Sequence, residues 1–142
     1  MLEVKGIQNG IVLDHIASGK GLKVFDKLQL AKFEYPVVLL MNVESSLMGR
    51  KDIIKIENTF DVDLNILGLI DSNITVCVVK DGHVVEKKNA ILPKEITGLI
   101  TCHNPRCITN HDDYIKPVFK LVNEKPLEYM CSYCEEITRY NL

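Results

Sequence analysis

Four cysteines in two close pairs near the end of the chain constrain its fold more than any other feature. Cys102 and Cys107 have four residues between them, Cys131 and Cys134 have two, and twenty-three residues separate the pairs. Each pair can form a small knuckle whose two sulfurs converge, and two knuckles complete the tetrahedron of thiolates that zinc prefers. The spacing therefore predicts one zinc ion bound by all four cysteines.

Other interpretations of these cysteines remain open at this point. In an oxidising compartment they could form two disulfides, whereas in a reducing cytosol paired cysteines more often bind metal. His103 or His111 could replace one sulfur, although four thiolates already complete the shell and both histidines are expected in loops. A filled sulfur shell leaves no position for water or substrate, so the predicted zinc is structural. Cys77 lies apart in an apolar segment and is expected to be a small buried residue.

The segment that carries the cysteines is expected to be a domain of its own. Helical periodicity disappears beyond the Leu-Pro-Lys sequence at residues 92–94. A domain of about 45 residues seldom folds on its apolar core alone, and zinc contributes about 10–16 kcal/mol in comparable small modules. We predict two domains, residues 1–96 and 97–142, of which the second is a small all-β zinc domain.

The first domain is predicted to be α+β, with an antiparallel sheet and two helices in a ferredoxin-like arrangement. Asn-Gly at residues 9–10 and Asp-Gly at residues 81–82 are typical of hairpin turns between alternating segments. A helix is expected over residues 18–32, capped by Ser18, and a shorter one after Asp61 that carries Leu64, Leu67 and Ile70. Strands are expected over residues 3–8, 10–16, 35–43, 50–58, 73–79 and 83–88.

Composition excludes several classes of partner. The formal net charge is −2, and residues 98–142 hold five Lys or Arg against six Asp or Glu, so the tail lacks the cationic surplus of a nucleic-acid-binding module. No apolar run approaches the roughly 18 residues of a membrane span, and the first residues lack the apolar stretch of a signal peptide. We therefore expect a cytoplasmic protein with neither a nucleic-acid nor a membrane partner.

Residues 49–58 form the most unusual stretch of the first domain. If they form a strand, Lys51, Ile53 and Lys55 share one face, while Ile54 and Ile56 anchor the other in the core. Two such ammonium groups could hold a polyphosphate, although two solvated lysines on an outer face are the simpler interpretation of this strand alone. Asp14 and His15 at a strand end could likewise contact ribose and phosphate, or simply face water. No Ser or Cys nucleophile motif and no Walker-type loop accompanies them.

Taken together, these residues resemble a known family. Residues 12–16 (VLDHI), residues 48–59 (MGRKDIIKIENT) and the Cys-x4-Cys, x23, Cys-x2-Cys tail are similar, in this order, to the regulatory chain of aspartate carbamoyltransferase. The resemblance implies a non-catalytic chain with an allosteric domain that binds CTP, UTP or ATP and a zinc domain that docks on the catalytic chain. It also implies homodimers of regulatory chains that join catalytic trimers in pyrimidine biosynthesis.

The resemblance also implies a set of nucleotide-binding residues. Asp14 is expected near ribose and His15 near phosphate, and the loop at residues 103–106 is expected to touch the catalytic chain. The implied contacts fall into a base and ribose side with Val4, Lys5, Gly6, Ile7 and Val12, three cations, Lys51, Lys55 and Lys87, and two apolar wall residues, Val79 and Val84.

Two other classes of protein compete with this interpretation. A zinc-ribbon protein that binds nucleic acid shares the cysteine spacing, but the near-neutral tail argues against it. A zinc-dependent enzyme would need an open coordination position, which four sulfur ligands do not leave. The sequence therefore favours a regulatory subunit.

Overall fold

A computed structural model describes residues 6–60, 62 and 64–139 of the chain. The chain divides into two compact units, Met1–Ile91 and Leu92–Leu142. This division lies earlier than the boundary predicted after residue 96, because Ile96 is buried and pairs with Phe119 in the sheet of the second unit. In the described part of the chain, no helix has the length and apolar character needed to cross a membrane.

The first unit combines a five-stranded sheet with two short helices. Its elements are β1 (Gly10–Ala17), α1 (Gly21–Lys27), β2 (Val37–Ser45), β3 (Gly49–Glu57), α2 (Leu67–Ile70), β4 (Thr75–Lys80) and β5 (His83–Asn89). The strand order is β2-β3-β1-β4-β5, and every neighbouring pair is antiparallel. The first four strands and two helices follow the ferredoxin-like order, with β5 added at one edge. The predicted α+β class is therefore confirmed.

Strand alternation gives the sheet one apolar face and one mixed face. Side chains that alternate along a strand point to opposite faces. The apolar face packs under α1, since a Cβ added to Gly21 would meet the side chains of Asp52 and Leu39. The buried aliphatic residues of that face include Ile11, Leu13, Ile16, Ile54, Ile56 and Val76.

The first predicted hairpin, at residues 9–10, is wrong. Residues 6–8 form no strand, and residues 3–5 of the predicted partner strand lie outside the described residues. Gly10 instead begins the central strand β1 and pairs with both Glu57 and Val79. It has a φ of +142°, and an added Cβ would lie 2.0 Å from the Ile56 carbonyl oxygen, so only glycine fits. The second predicted hairpin is confirmed, because Lys80 pairs with His83 across the Asp-Gly turn.

The helices are shorter than predicted. The expected helix over residues 18–32 is divided into α1 and a 3₁₀ turn at Leu30–Lys32, because Gln29 adopts a left-handed conformation with φ of 55°. Ser18 does not cap α1; its hydroxyl bonds the side chain of Asn42 in β2. The second helix contains only Leu67–Ile70, so Leu64 precedes it, and Asp61 lies outside the described residues.

The second unit is an antiparallel four-stranded sheet. Its strands, in both chain and spatial order, are β6 (Glu95–Thr97), β7 (Val118–Asn123), β8 (Glu128–Cys131) and β9 (Ile137–Arg139). Ile96, Phe119 and Tyr129 form its small core, and the Tyr129 hydroxyl donates a hydrogen bond of 2.6 Å to the Pro93 carbonyl oxygen. These four strands confirm the predicted all-β class of the second domain.

Candidate metal centre and lysine face

The four cysteine sulfurs of the second unit converge on one point. All four Sγ atoms lie within 4.8 Å of one another. The Sγ atoms of Cys102 and Cys134 are 3.7 Å apart, as are those of Cys107 and Cys131. Tetrahedral zinc with bonds of about 2.3 Å to sulfur separates its ligands by about 3.8 Å. All four thiols are free, so the arrangement fits a Cys₄ zinc site and does not fit two disulfides.

Hydrogen bonds among backbone groups and two asparagine side chains shape the first knuckle, the loop from Cys102 to Cys107. The Cys107 N–H donates to the Asn104 carbonyl oxygen at 3.0 Å, and the Arg106 N–H donates to the Asn104 side chain at 3.0 Å. The Asn110 amide reaches back to the carbonyl oxygens of Cys102, at 2.9 Å, and Asn104, at 2.7 Å. These bonds hold the two sulfurs on one side of the loop, a role for Asn110 that cysteine spacing alone did not indicate.

The second knuckle begins where β8 ends. The Cys131 N–H donates to the Glu136 carbonyl oxygen at 2.9 Å, and the Glu135 N–H donates to the Cys131 carbonyl oxygen at 2.8 Å. Glu135 adopts a left-handed conformation with φ of 64°, which turns the chain sharply into β9. Neither His103 nor His111 belongs to the sulfur cluster: His103 lies 3.1 Å from the Glu136 carboxylate, and His111 bonds the Pro105 carbonyl oxygen at 2.7 Å.

Burial and hydrogen bonding shift the pKa values of the clustered cysteines in different directions. Burial raises the pKa of Cys102 to about 12 and also raises that of Cys131. The Thr109 hydroxyl, 3.1 Å from the Cys107 sulfur, lowers the pKa of Cys107 to about 7.

The mixed face of the first sheet brings together five of the twelve predicted nucleotide residues. We call this surface the lysine face and define it by Val12, Asp14, Lys51, Lys55, Cys77 and Lys87. Val12 pairs directly with Lys55 on one side and with Cys77 on the other, and Cys77 pairs with Lys87. Directly opposed residues share a face, so a continuous row runs from Lys55 to Lys87 across β3, β1, β4 and β5. At about 4.8 Å per strand, the row spans about 14 Å.

An ion pair occupies one corner of the lysine face. Lys51 lies four residues before Lys55 on β3, and its Nζ contacts the Asp14 carboxylate at 2.9 Å. Burial alone would raise the pKa of Asp14, but hydrogen bonds from Lys51 and from the His15 N–H, together with the Lys51 charge, hold it below its ordinary value. The face therefore carries an anchored carboxylate beside a cation, with two further lysines across a largely apolar centre.

His15 lies beside this ion pair. It has a φ of 58°, and its Nδ1 is 3.0 Å from the Thr75 hydroxyl. Thr75 pairs with Asp14 across β1 and β4, so it belongs to the same corner although the sequence did not single it out. Only the strand register, which local sequence does not encode, could have indicated it.

Of the remaining predicted nucleotide residues, those that the structure describes lie near one end of the sheet, at the β4–β5 turn. Gly6 and Ile7 precede β1, in a segment whose Gln8 carbonyl oxygen accepts a hydrogen bond of 2.8 Å from the Gly82 N–H. Val79 is buried and pairs with the exposed Val84. Burial raises the pKa of Cys77, so its thiol is neutral near pH 7. Val4 and Lys5 lie outside the described residues.

Comparison with protein families matches both units separately. The family described as the aspartate carbamoyltransferase regulatory chain, allosteric domain, matches residues 2–90, and the corresponding metal binding domain matches residues 94–141. The chain belongs to the aspartate carbamoyltransferase regulatory chain family. The resemblance recognised from its motifs is thus confirmed.

Relatives named as aspartate carbamoyltransferase regulatory chains match nearly the whole length. The relative from Clostridium tetani is 50% identical over 138 residues, which is 96% of each chain. One from Clostridium botulinum is 50% identical over 137 residues, covering 96% of this chain and 94% of the relative. One from Bifidobacterium longum is 47% identical over 135 residues, covering 95% and 97%.

Membership of the regulatory chain family decides between the competing interpretations. The chain is a non-catalytic regulatory subunit that belongs to pyrimidine biosynthesis, and its second unit is a metal-binding domain whose cysteines fit structural zinc. The nucleic-acid-binding alternative is not favoured. The four-cysteine cluster therefore serves the fold of a subunit and not a reaction.

Proposed function

We propose that the chain binds nucleoside triphosphates, among them CTP, UTP and ATP, on the lysine face and docks on the catalytic chain of aspartate carbamoyltransferase through its zinc domain. The observation that carries this proposal is the row from Lys55 through Val12 and Cys77 to Lys87, with the Asp14–Lys51 pair at its corner. In this function the chain works in the cytoplasm as a regulator and carries out no chemistry itself.

The charge pattern of the lysine face suits a triphosphate nucleotide. Three ammonium groups complement a ligand of several negative charges, and charge-assisted hydrogen bonds are the strongest polar contacts available. The neutral centre formed by Val12 and Cys77 suits an uncharged base or sugar. Asp14, kept ionised by Lys51, is an acceptor that a ribose hydroxyl can satisfy.

The predicted base side lies at the other end of the sheet. Gly6 and Ile7, with Val4 and Lys5 before them, would contact the base largely through backbone groups, beside the β4–β5 turn. Val79 and Val84 would supply the apolar walls. The hydrogen bond from the Gly82 N–H to the Gln8 carbonyl oxygen supports this placement, because it ties the segment to that turn.

The zinc domain would carry the signal to the catalytic chain. Its described surface exposes several large apolar side chains, among them Ile108, Tyr114 and Ile137, which would be available to a partner chain. The loop at residues 103–106 lies between two zinc ligands and is held by Asn110. A nucleotide that binds two quaternary states with different affinity would shift their equilibrium, and the metal-stiffened domain would transmit that bias.

A homodimer of regulatory chains would form through the sheet edge at β2, which pairs only with β3 among the described residues. This strand begins with four half-buried apolar residues, residues 37–40, and continues with Met41, which is exposed. An unpaired apolar edge strand is a template for pairing with another chain. Changing Met41→Lys should therefore weaken the dimer roughly tenfold or more, measured by sedimentation equilibrium. Leu22→Lys, a change at an exposed position on α1, should leave the dimer unchanged, and an equal effect of both changes would argue against this edge.

Calorimetric titration of the zinc-loaded chain tests the nucleotide proposal. We expect affinity to rise from nucleoside to monophosphate to triphosphate, and to fall with added salt, because phosphate charge provides the binding energy. Saturation by a nucleoside as tightly as by its triphosphate, or no heat with any of the three triphosphates, would contradict it.

A further inference from the structure

A buried carboxylate lies directly behind the lysine face. Asp52 on β3 is fully buried, and its side chain points to the apolar side of the sheet beneath α1. Its Oδ1 accepts from the Asn42 N–H at 2.9 Å, and its Oδ2 accepts from the N–H groups of Gly19, at 3.1 Å, and Gly21, at 2.9 Å. Among the described residues it forms no salt bridge. Hydrogen bonds from three backbone N–H groups therefore offset the free-energy cost of burying this carboxylate.

Both strands that flank β3 bulge next to Asp52. In β1, Asp14 and His15 together oppose the single residue Ile53. In β2, residues 41–42 together oppose Asp52. His15 and Asn42 each complete their bulge in a left-handed conformation, with φ values of 58° and 61°.

The bulge in β1 determines which residues reach the lysine face. Because of the extra residue, Leu13 and Ile16 are both buried although they are three positions apart. A regular strand would place His15 inside and Ile16 outside, since a slip of one residue exchanges the faces of a strand. With the bulge, Ile16 opposes Asp52 and Ala17 opposes Lys51, so the bulge sets where Lys51 lies relative to Asp14.

We propose that Asp52 is the positioning residue of the lysine face, because its carboxylate holds the chain on both sides of β3 in the bulged register that joins Asp14 to Lys51. On the β2 side it accepts the Asn42 N–H at the bulge. On the β1 side it fixes the loop just beyond the strand through Gly19 and Gly21. Lys51 precedes it on β3, so a shift of Asp52 moves the cation directly.

We call the hydrogen bonds from the N–H groups of Asn42, Gly19 and Gly21 to Asp52 the clamp. The clamp requires a carboxylate at position 52 and a glycine at position 21. All three partners are donors, so an asparagine at position 52 would place an NH₂ group against at least one of them. A Cβ added to Gly21 would lie 2.7 Å from both Cβ and Oδ2 of Asp52, so any larger residue would displace the carboxylate. These two positions therefore offer independent ways to disturb the clamp.

The test compares Asp52→Asn with Asp71→Asn. Asp71 is also buried and accepts two backbone bonds of 2.9 Å, from the Ala17 and Asn73 N–H groups. It holds β1 at Ala17 alone, so the comparison isolates the contribution of the Asp52 contacts to Asn42, Gly19 and Gly21. Carbon-13 NMR titration of the Asp14 carboxylate measures its pKa, which reports on the Asp14–Lys51 ion pair in the absence of nucleotide. We expect the Asp14 pKa to rise toward its ordinary value in Asp52→Asn and to stay at the wild-type value in Asp71→Asn, at similar losses of melting temperature.

The functional part of the test rests on the proposed nucleotide site. CTP affinity should fall at least tenfold in Asp52→Asn and less than twofold in Asp71→Asn. An unchanged Asp14 pKa in folded Asp52→Asn, or the same rise in both variants, would overturn the positioning role. If Asp52→Asn does not fold, the Asp14 pKa and the CTP affinity are measured in Gly21→Ala instead. We expect a smaller rise of the pKa and a smaller loss of affinity in that variant. If wild-type protein binds no nucleotide, the proposed function fails while the Asp14 pKa still decides the role of Asp52.

Discussion

Removing the metal is expected to abolish association of the chain with the catalytic chain of aspartate carbamoyltransferase while leaving the first unit folded. Zinc supplies about 10–16 kcal/mol in small modules, which is as large as the total stability of about 5–15 kcal/mol typical of a whole domain. The second unit has only a short core around Ile96, Phe119 and Tyr129. Its two knuckles would separate without the ion, whereas the sheet of the first unit contains none of the ligands.

The measurement is co-purification of the two chains after treatment with a chelator, with circular dichroism to follow the first unit. Cys131→Ser should reproduce the loss, and Cys77→Ser is the matched control, since Cys77 lies in β4 outside the cluster. We expect the control to retain both zinc and association. If the protein still associates normally with the catalytic chain after its metal is removed, zinc does not have the structural role described.

Changing Lys55→Ala and Lys87→Ala together is expected to weaken triphosphate binding by roughly 30- to 150-fold and nucleoside binding by less than threefold. The two lysines lie at opposite ends of the cross-strand row. Each charge-assisted contact to phosphate contributes about 1–1.5 kcal/mol at a partly exposed site, and every 1.4 kcal/mol is a tenfold change in affinity. A nucleoside has no phosphate, so it loses only minor contacts.

Calorimetry with CTP and cytidine measures both effects on the same protein. The matched control changes Lys23→Ala and Lys88→Ala, which removes the same charge elsewhere. Lys23 is exposed on α1, and Lys88 pairs with Val76, a residue of the apolar side of the sheet. If nucleoside and triphosphate lose the same affinity, or if the control variant loses as much triphosphate affinity, the two lysines do not belong to the phosphate site.

Local sequence patterns predicted the features that depend on local chemistry. The zinc ligands follow from cysteine spacing, because each knuckle is closed by bonds within a few residues, such as that from Cys107 to Asn104. The alternation of β3 likewise placed Lys51 and Lys55 opposite Ile54 and Ile56. The proposal that the lysine face binds nucleotides rests on resemblance and not on this alternation, which alone favoured a solvated surface.

Features that depend on distant residues were missed. β1 was expected at the edge of a hairpin, yet it is central, because β3 and β4 both pair with it from far along the chain. In our proposal the bulge at Asp14 and His15 is stabilised by Asp52, which is remote in sequence. No local sequence pattern therefore predicts this bulge. The predicted helix start at Ser18 failed for the same reason: the Asp52 carboxylate accepts the N–H groups of Gly19, before α1, and of Gly21, its first residue.

Native mass spectrometry of the zinc-loaded chain mixed with its catalytic subunit, with and without CTP, tests the central claim most directly. The predicted result is a complex that contains both chains, one zinc ion per regulatory chain and added mass from bound CTP. Separate masses for the two subunits, with zinc present on a folded regulatory chain and no nucleotide bound, would contradict it.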